Sequence, residues 1–214
     1  MKLSYYLVPC EDEALSSWLI RLSRKHYLSV QEFCSFFDLN KLFLQGMDID
    51  TDLIQLQAVL GYNPSGIRTV KTIIHDFKWT KEQQQWLVHP NKKGNSLNNS
   101  YTQICPACIT EKGYIQLKWK FNLFFGCSEC GLKLINHCSK CIRPISPLVN
   151  DSRTEHNPIY TCWYCLSDYS EIRQEKLSEN EIIELKKLER AYMEEPVNIR
   201  FLKFKQFGTI EGVS

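Results

Sequence analysis

Eight of the ten cysteines in this 214-residue chain fall in four Cys-x-x-Cys pairs: Cys105 and Cys108, Cys127 and Cys130, Cys138 and Cys141, Cys162 and Cys165. Such a pair points two thiolates at one tetrahedral centre about 2.3 Å away, and a second pair completes a four-sulfur shell for Zn²⁺. The gaps between successive pairs are 18, 7 and 20 residues. The outer two suit the interval within one zinc ribbon, and the middle one suits a connection between sites. This predicts one zinc on Cys105, Cys108, Cys127 and Cys130, and a second on Cys138, Cys141, Cys162 and Cys165. Spacing alone also admits an interleaved or cross-brace pairing. Two complete four-thiolate shells leave no open position for substrate, so the two zinc ions are expected to be structural. His137 abuts Cys138 and is an alternative ligand; Cys10 and Cys34 stand alone, and Cys34 reads as a small core residue.

The competing cysteine chemistries fit less well. A disulfide framework belongs to an exported chain, and the N-terminus runs from a short apolar stretch into Glu11-Asp12-Glu13, the wrong flank for a secretory signal. A thiol-redox enzyme needs one pair opening a helix in a βαβ unit, which four successive pairs do not resemble. No apolar run approaches the roughly 18 residues of a membrane span. The expectation is a cytoplasmic protein, associated with the nucleoid when bound to DNA.

Charge gives little direction. The formal net charge of +2 treats cysteine as neutral; eight thiolates and two Zn²⁺ bring the loaded protein near −2. Residues 61–104 carry 6 basic and 2 acidic side chains, a mild excess that gives salt-dependent attraction to phosphates at most.

The elements that must position the cysteines follow from periodicity. Leu15, Trp18, Leu19 and Leu22 make one face of a helix from about Glu13 to His26. Ser29 and Glu32 form a capping box for a second helix with Val30, Phe33, Cys34 and Phe37 inward, and the short Tyr27-Leu28 turn makes the pair helix-turn-helix-like. A third helix spans roughly Asp52 to Leu60 and stops at Gly61. Asn63 and Pro64 would start a fourth, burying Ile67, Val70, Ile74 and Phe77 and presenting Arg68, Lys71 and His75, with Arg68 and Lys71 as candidate nucleic-acid contacts. Thr80 and Gln83 open a further short helix ending near Trp86. Leu117, Trp119, Phe121, Leu123 and Phe125 alternate with polar residues, predicting a half-buried strand whose aromatics are core. Trp163 and Tyr164 are expected to pack over the second metal. Ser178 and Glu181 cap a helix carrying Ile182, Leu185, Leu188 and Tyr192 that Pro196 ends, and Val197, Ile199 and Phe201 suggest a last strand.

The expected fold class is therefore α+β: a helix-turn-helix-like helical domain over 1–90, a linker over 91–100, a tandem four-cysteine zinc-ribbon module over 101–170, and a C-terminal helix and tail over 171–214. No phosphate-cradling glycine loop, nucleophile elbow or His-Glu-x-x-His is present. Asp48, Asp50 and Asp52 read as a helix start, not as a Mg²⁺ or Ca²⁺ site. The chain is not expected to be an enzyme.

The segment Glu13-Ala14-Leu15-Ser16-Ser17-Trp18-Leu19-Ile20-Arg21-Leu22 resembles the opening of the TniQ/TnsD family of transposition-targeting proteins. So do Cys105-Pro106-Ala107-Cys108, Leu117-Lys118-Trp119, Cys127-Ser128-Glu129-Cys130 with Leu132 and Leu134, and Cys138-Ser139-Lys140-Cys141, over residues 5 to about 170. Where the family has Cys-Pro-x-His as its second knuckle, this chain has Cys130 and no proline, an exchange that keeps a tetrahedral zinc. The resemblance implies a non-enzymatic adaptor that couples target-site recognition to an AAA+ ATPase transposition regulator. Some short family members work instead with a CRISPR effector complex and its guide RNA, and this chain is similar in length to those. The resemblance to short members implies that the long DNA-reading region of full-length selectors is missing. Three other readings remain: a sequence-specific DNA-binding target selector, a zinc-ribbon transcription or RNA factor, and a thiol-redox enzyme.

Overall fold

The computed structural model describes residues 5–39, 47–49, 51–61, 63, 66–73, 101–146 and 159–194. The sequence predictions for Ile74, His75 and Phe77, for the short helix at Thr80–Trp86, for the linker over 91–100 and for the strand at Val197–Phe201 lie outside these residues, as does the side chain of Lys71.

Helix α1, Leu15–Lys25, buries Leu15, Trp18, Leu19 and Leu22 on the face their spacing defines. Its first turn has no side-chain cap from Ala14. The orphan amide of Ser16 instead donates to Asp48 Oδ1 at 2.7 Å, 32 residues away, and the Ser16 hydroxyl donates to Asp48 Oδ2 at 2.7 Å. Helix α2, Val30–Phe36, carries the expected capping box. Cys34 is buried on its inner face, beside Val30 and Phe33. Helix α3, Leu53–Leu60, is capped by the Asp52 carboxylate on the amides of Ile54 and Gln55, and Gly61 closes it at φ 64°. Asp52 is thus the helix start that was expected, while Asp48 is an interior group.

The fourth helix departs from expectation. Residues 66–69 are not helical, and α4, Val70–Ile73, begins seven positions after Asn63. Thr69 and Thr72 cap it reciprocally, each hydroxyl accepting the other's amide. Arg68 consequently lies on extended backbone that bridges to Ala14, and not on the outer face of a helix.

The cysteine-rich half opens with helix α5, Pro106–Lys112, which Pro106 starts and Gly113 ends. The alternating segment after it is not a strand. Leu117–Lys120 forms a 3₁₀ turn, and the sheet that follows consists of β1, Gly126–Cys127, antiparallel to β2, Leu132–Lys133. Residues distant in sequence take the place of a strand partner. The Leu117 amide donates to the Asp12 carbonyl at 2.6 Å, and the Gln103 amide group donates to the carbonyls of Phe121 and Phe124. Leu117, Trp119, Phe121 and Leu123 are buried as their apolar character predicts, but Lys120 is buried as well.

Helix α6, Glu179–Glu194, has the Ser178/Glu181 capping box and turns Leu185, Leu188 and Tyr192 inward. It packs on β1 at Gly126, where a Cβ would stand 2.5 Å from Leu177 Cδ1 and 2.9 Å from Leu185 Cδ1. Any larger residue there would force the two leucines to shift. Tyr192 meets Phe121 and Phe124 edge-on at 6.1 and 5.4 Å between ring centres. One continuous apolar core runs from Trp18 and Phe33 through Trp119 and Phe124 to Tyr169 and Tyr192. No helix of the described residues is long and apolar enough to cross a membrane. The architecture is α+β: helices, a small two-stranded sheet, two four-cysteine clusters and a C-terminal helix.

Candidate metal centres

The four knuckles come together two by two. Cys105, Cys108, Cys127 and Cys130 form one group, Cys138, Cys141, Cys162 and Cys165 the other, and within each group the sulfurs lie within 4.8 Å of one another. The geometry therefore joins the first knuckle with the second and the third with the fourth.

Local structure aims each sulfur. Cys105 precedes α5 and Cys108 lies in its first turn, so helical backbone sets the first pair. The other three knuckles share one turn. The amide after the second cysteine donates back to the carbonyl of the first: Gly131 to Cys127 at 2.9 Å, Ile142 to Cys138 at 2.9 Å, Leu166 to Cys162 at 2.8 Å. Closing that turn requires left-handed backbone, and φ is 64° at Gly131, 58° at Ile142 and 60° at Leu166. The same turn directs two amides at the leading sulfur: those of Glu129 and Cys130 at Cys127, Lys140 and Cys141 at Cys138, Tyr164 and Cys165 at Cys162.

Distances fit a tetrahedral ion. Four sulfurs each about 2.3 Å from a common centre stand about 3.8 Å apart. Cys108 Sγ lies 3.5 Å from Cys127 Sγ and 3.3 Å from Cys130 Sγ; in the second group Cys138 to Cys165 is 3.7 Å and Cys141 to Cys162 is 3.6 Å. All eight are free thiols. The donor set is soft, closed and four-coordinate, which is the chemistry Zn²⁺ takes in structural sites.

Electrostatics favour a cation. Sulfhydryl donation from Cys105 and Cys108, with the amides of Cys130 and Glu129, pulls Cys127 down to about 2. Burial pushes Cys162 up to about 12. At Cys165 burial also raises the thiol, but the hydroxyl and amide of Ser167 outweigh it and bring the group to about 6. Each cluster thus holds some sulfurs ready to ionise and others that resist, and a dication would deprotonate them all.

Neighbours that spacing could not reveal complete each site. Glu129 sits inside the second knuckle, 4.0 Å from Cys108 Sγ, and pairs with Lys112. The Ser167 hydroxyl lies 3.3 Å from Cys138 Sγ and 3.0 Å from Cys165 Sγ. Trp163 is buried, and Tyr164 is half-buried under the Arg143 guanidinium at 4.5 Å. His137 stands outside the sulfur cluster, exposed, with Nδ1 2.7 Å from Asn136 Oδ1.

Arg68 is engaged within the fold. Its Nη2 donates to Asp12 Oδ1 at 2.8 Å, its guanidinium stacks 5.0 Å over the Tyr192 ring, and the Tyr192 hydroxyl donates to the same carboxylate oxygen at 2.7 Å. Burial raises the Asp12 carboxyl above its usual range, against the opposing pull of Tyr192 and Arg68. A second interior pair joins Lys120 to Asp48 at 2.9 Å, the two side chains 2 % and 1 % exposed. Neither pair leaves a periodic trace in the sequence.

Among known proteins, no curated sequence matches the chain. The family model described as TniQ matches residues 5–134, which include α1 to α4, the first cysteine cluster and β2. That match covers more than half of the sequence, and the chain belongs to the TniQ family.

Proposed function

We propose that this protein is a transposition-targeting adaptor, which links a recognised target site to an AAA+ ATPase transposition regulator. Recognition is supplied either by DNA-bound protein or by a CRISPR effector complex with its guide RNA. The observation that carries the reading is the TniQ match over residues 5–134, which supports a transposition-associated role. The two cysteine clusters support the non-catalytic part of it. Two structural Zn²⁺ ions, one on Cys105, Cys108, Cys127 and Cys130 and one on Cys138, Cys141, Cys162 and Cys165, would each be fully saturated by thiolate, with no position left for substrate. The zinc ions hold the shape of a docking module, and the work is done by binding, in the cytoplasm and on the nucleoid.

The alternative is a selector that reads a DNA site with Arg68 and Lys71. Asp12 already engages the Arg68 guanidinium, which weighs against that reading. The test is a pull-down of the ATPase encoded beside this gene by the purified zinc-loaded chain, with and without nucleotide and DNA. Retention of the ATPase is expected, and an ATPase that ignores the chain under all four conditions overturns the adaptor reading. A gel shift with Arg68→Ala and Lys71→Ala separates the alternative, which requires both substitutions to weaken site-specific binding.

A further inference from the structure

Three knuckles of this chain close with the same left-handed turn, and they differ in what occupies it. In the first cluster the position is Gly131, and α6 covers it: a Cβ there would stand 3.3 Å from Ile182 Cδ1, and the Leu177 amide donates to the Gly131 carbonyl at 2.8 Å. In the second cluster the equivalent positions are Ile142 and Leu166, which are 70 % and 56 % exposed. Both hold φ near +60°, where a branched or bulky side chain is strained and glycine is not. A strained backbone that carries a large exposed aliphatic group gives up stability twice, and such outliers gather at binding sites.

We propose that the tip of the second cysteine cluster is a docking surface, with Ile142 and Leu166 as its apolar anchors, for an amphipathic helix of the ATPase regulator whose apolar stripe is flanked by carboxylates. The chain itself provides the template, since an amphipathic helix with Ile182 lies over the matching turn of the first cluster. Charge selects the occupant. The charged residues within two positions of these two knuckles are Lys140 and Arg143, both basic and both exposed. The chain's own tail carries Arg200, Lys203 and Lys205 against Glu195 and Glu211, a net positive charge that the two cations do not attract. Nucleic acid would use the two cations but has no use for paired aliphatic anchors. This assignment rests on the adaptor reading above.

The experiment compares wild type with Ile142→Gly/Leu166→Gly for binding to the purified ATPase and, separately, to duplex DNA. Glycine reproduces the native residue of the first cluster and relieves the backbone, so zinc content by native mass spectrometry and the melting temperature should hold or rise. Ile142→Asn/Leu166→Asn, which also tolerates the turn, serves as an independent second pair. The expected result is a tenfold or greater loss of affinity for the ATPase with two zinc ions retained and DNA binding unchanged. Wild-type binding that both double variants match would overturn the surface and leave the adaptor reading standing. Loss of DNA affinity in place of ATPase affinity would make the tip a nucleic-acid contact and overturn the proposal. An ATPase that ignores wild type removes the adaptor reading and this assignment together.

Discussion

Replacing Lys120 by methionine should cost more than any surface substitution in this molecule. Lys120 Nζ lies 2.9 Å from Asp48 and 3.1 Å from the Tyr101 carbonyl, and both charged side chains are almost wholly excluded from water. Removing one partner of such a pair strands the other, at about 3–5 kcal/mol. Asp48 keeps its two bonds from Ser16. Each such charge-assisted bond contributes about 1.5–3 kcal/mol, so Asp48 should stay in place and the loss should fall near 3 kcal/mol. For a chain of this size that corresponds to a melting temperature lower by roughly 6–12 °C. Asp48→Asn should cost a similar amount, because it removes the carboxylate charge that faces the buried Lys120 ammonium. The double variant should cost clearly less than the sum, with a coupling of at least about 1 kcal/mol. The assay is thermal and urea unfolding of the zinc-loaded protein at neutral pH, repeated at about 1 M salt, which screens exposed pairs but not this one. A Lys120→Met variant within about 1 kcal/mol of wild type, or costs that simply add, would refute the reasoning.

Gly126→Ala should destabilise the chain by about 1–3 kcal/mol, because its methyl would meet Leu177 and Leu185 at 2.5 and 2.9 Å and push α6 away from the sheet; hydrogen exchange should show the loss in α6 first. Native mass spectrometry should find two zinc ions per chain, falling to one when Cys127→Ser or Cys162→Ser opens a single cluster, with a chelator removing metal and structure together. Acid should expose the two capping boxes. Bonds from Ser29 and Ser178 hold Glu32 and Glu181 below the usual 4.5. Their contribution is therefore present above pH 4.5 and lost as pH falls through the lowered values. Glu32→Gln and Glu181→Gln should flatten that part of the stability profile, as followed by circular dichroism.

Cysteine spacing, capping boxes and helical stripes were readable because each is a local pattern. Two thiolates three residues apart can face one centre whatever surrounds them, and the Ser29/Glu32 and Ser178/Glu181 boxes close within one turn. Asp52 and Gly61 bracket α3 for the same reason, with the cap and the left-handed stop both inside a short window. What spacing left open, the pairing of the knuckles, needed the chain to fold back on itself, and so did everything that depends on residues far apart. The alternation over Leu117–Phe125 read as a strand, yet a strand requires a neighbour to accept its hydrogen bonds. Here the Asp12 carbonyl accepts from the Leu117 amide of a 3₁₀ turn, and the Gln103 side chain donates to the carbonyls of Phe121 and Phe124 that follow it. Period two also assigned Lys120 to solvent, and the approach of Asp48 and the Tyr101 carbonyl makes its burial tolerable. Arg68 looked free because Asp12, 56 residues away, and the Tyr192 ring are invisible from its neighbourhood in the chain. The sequence by itself determined the four Cys-x-x-Cys knuckles, the helical faces and the family. Tertiary structure decided which charges are spent inside the fold and which apolar side chains are left outside it, because burial is a property of the assembled core and not of any local run of residues.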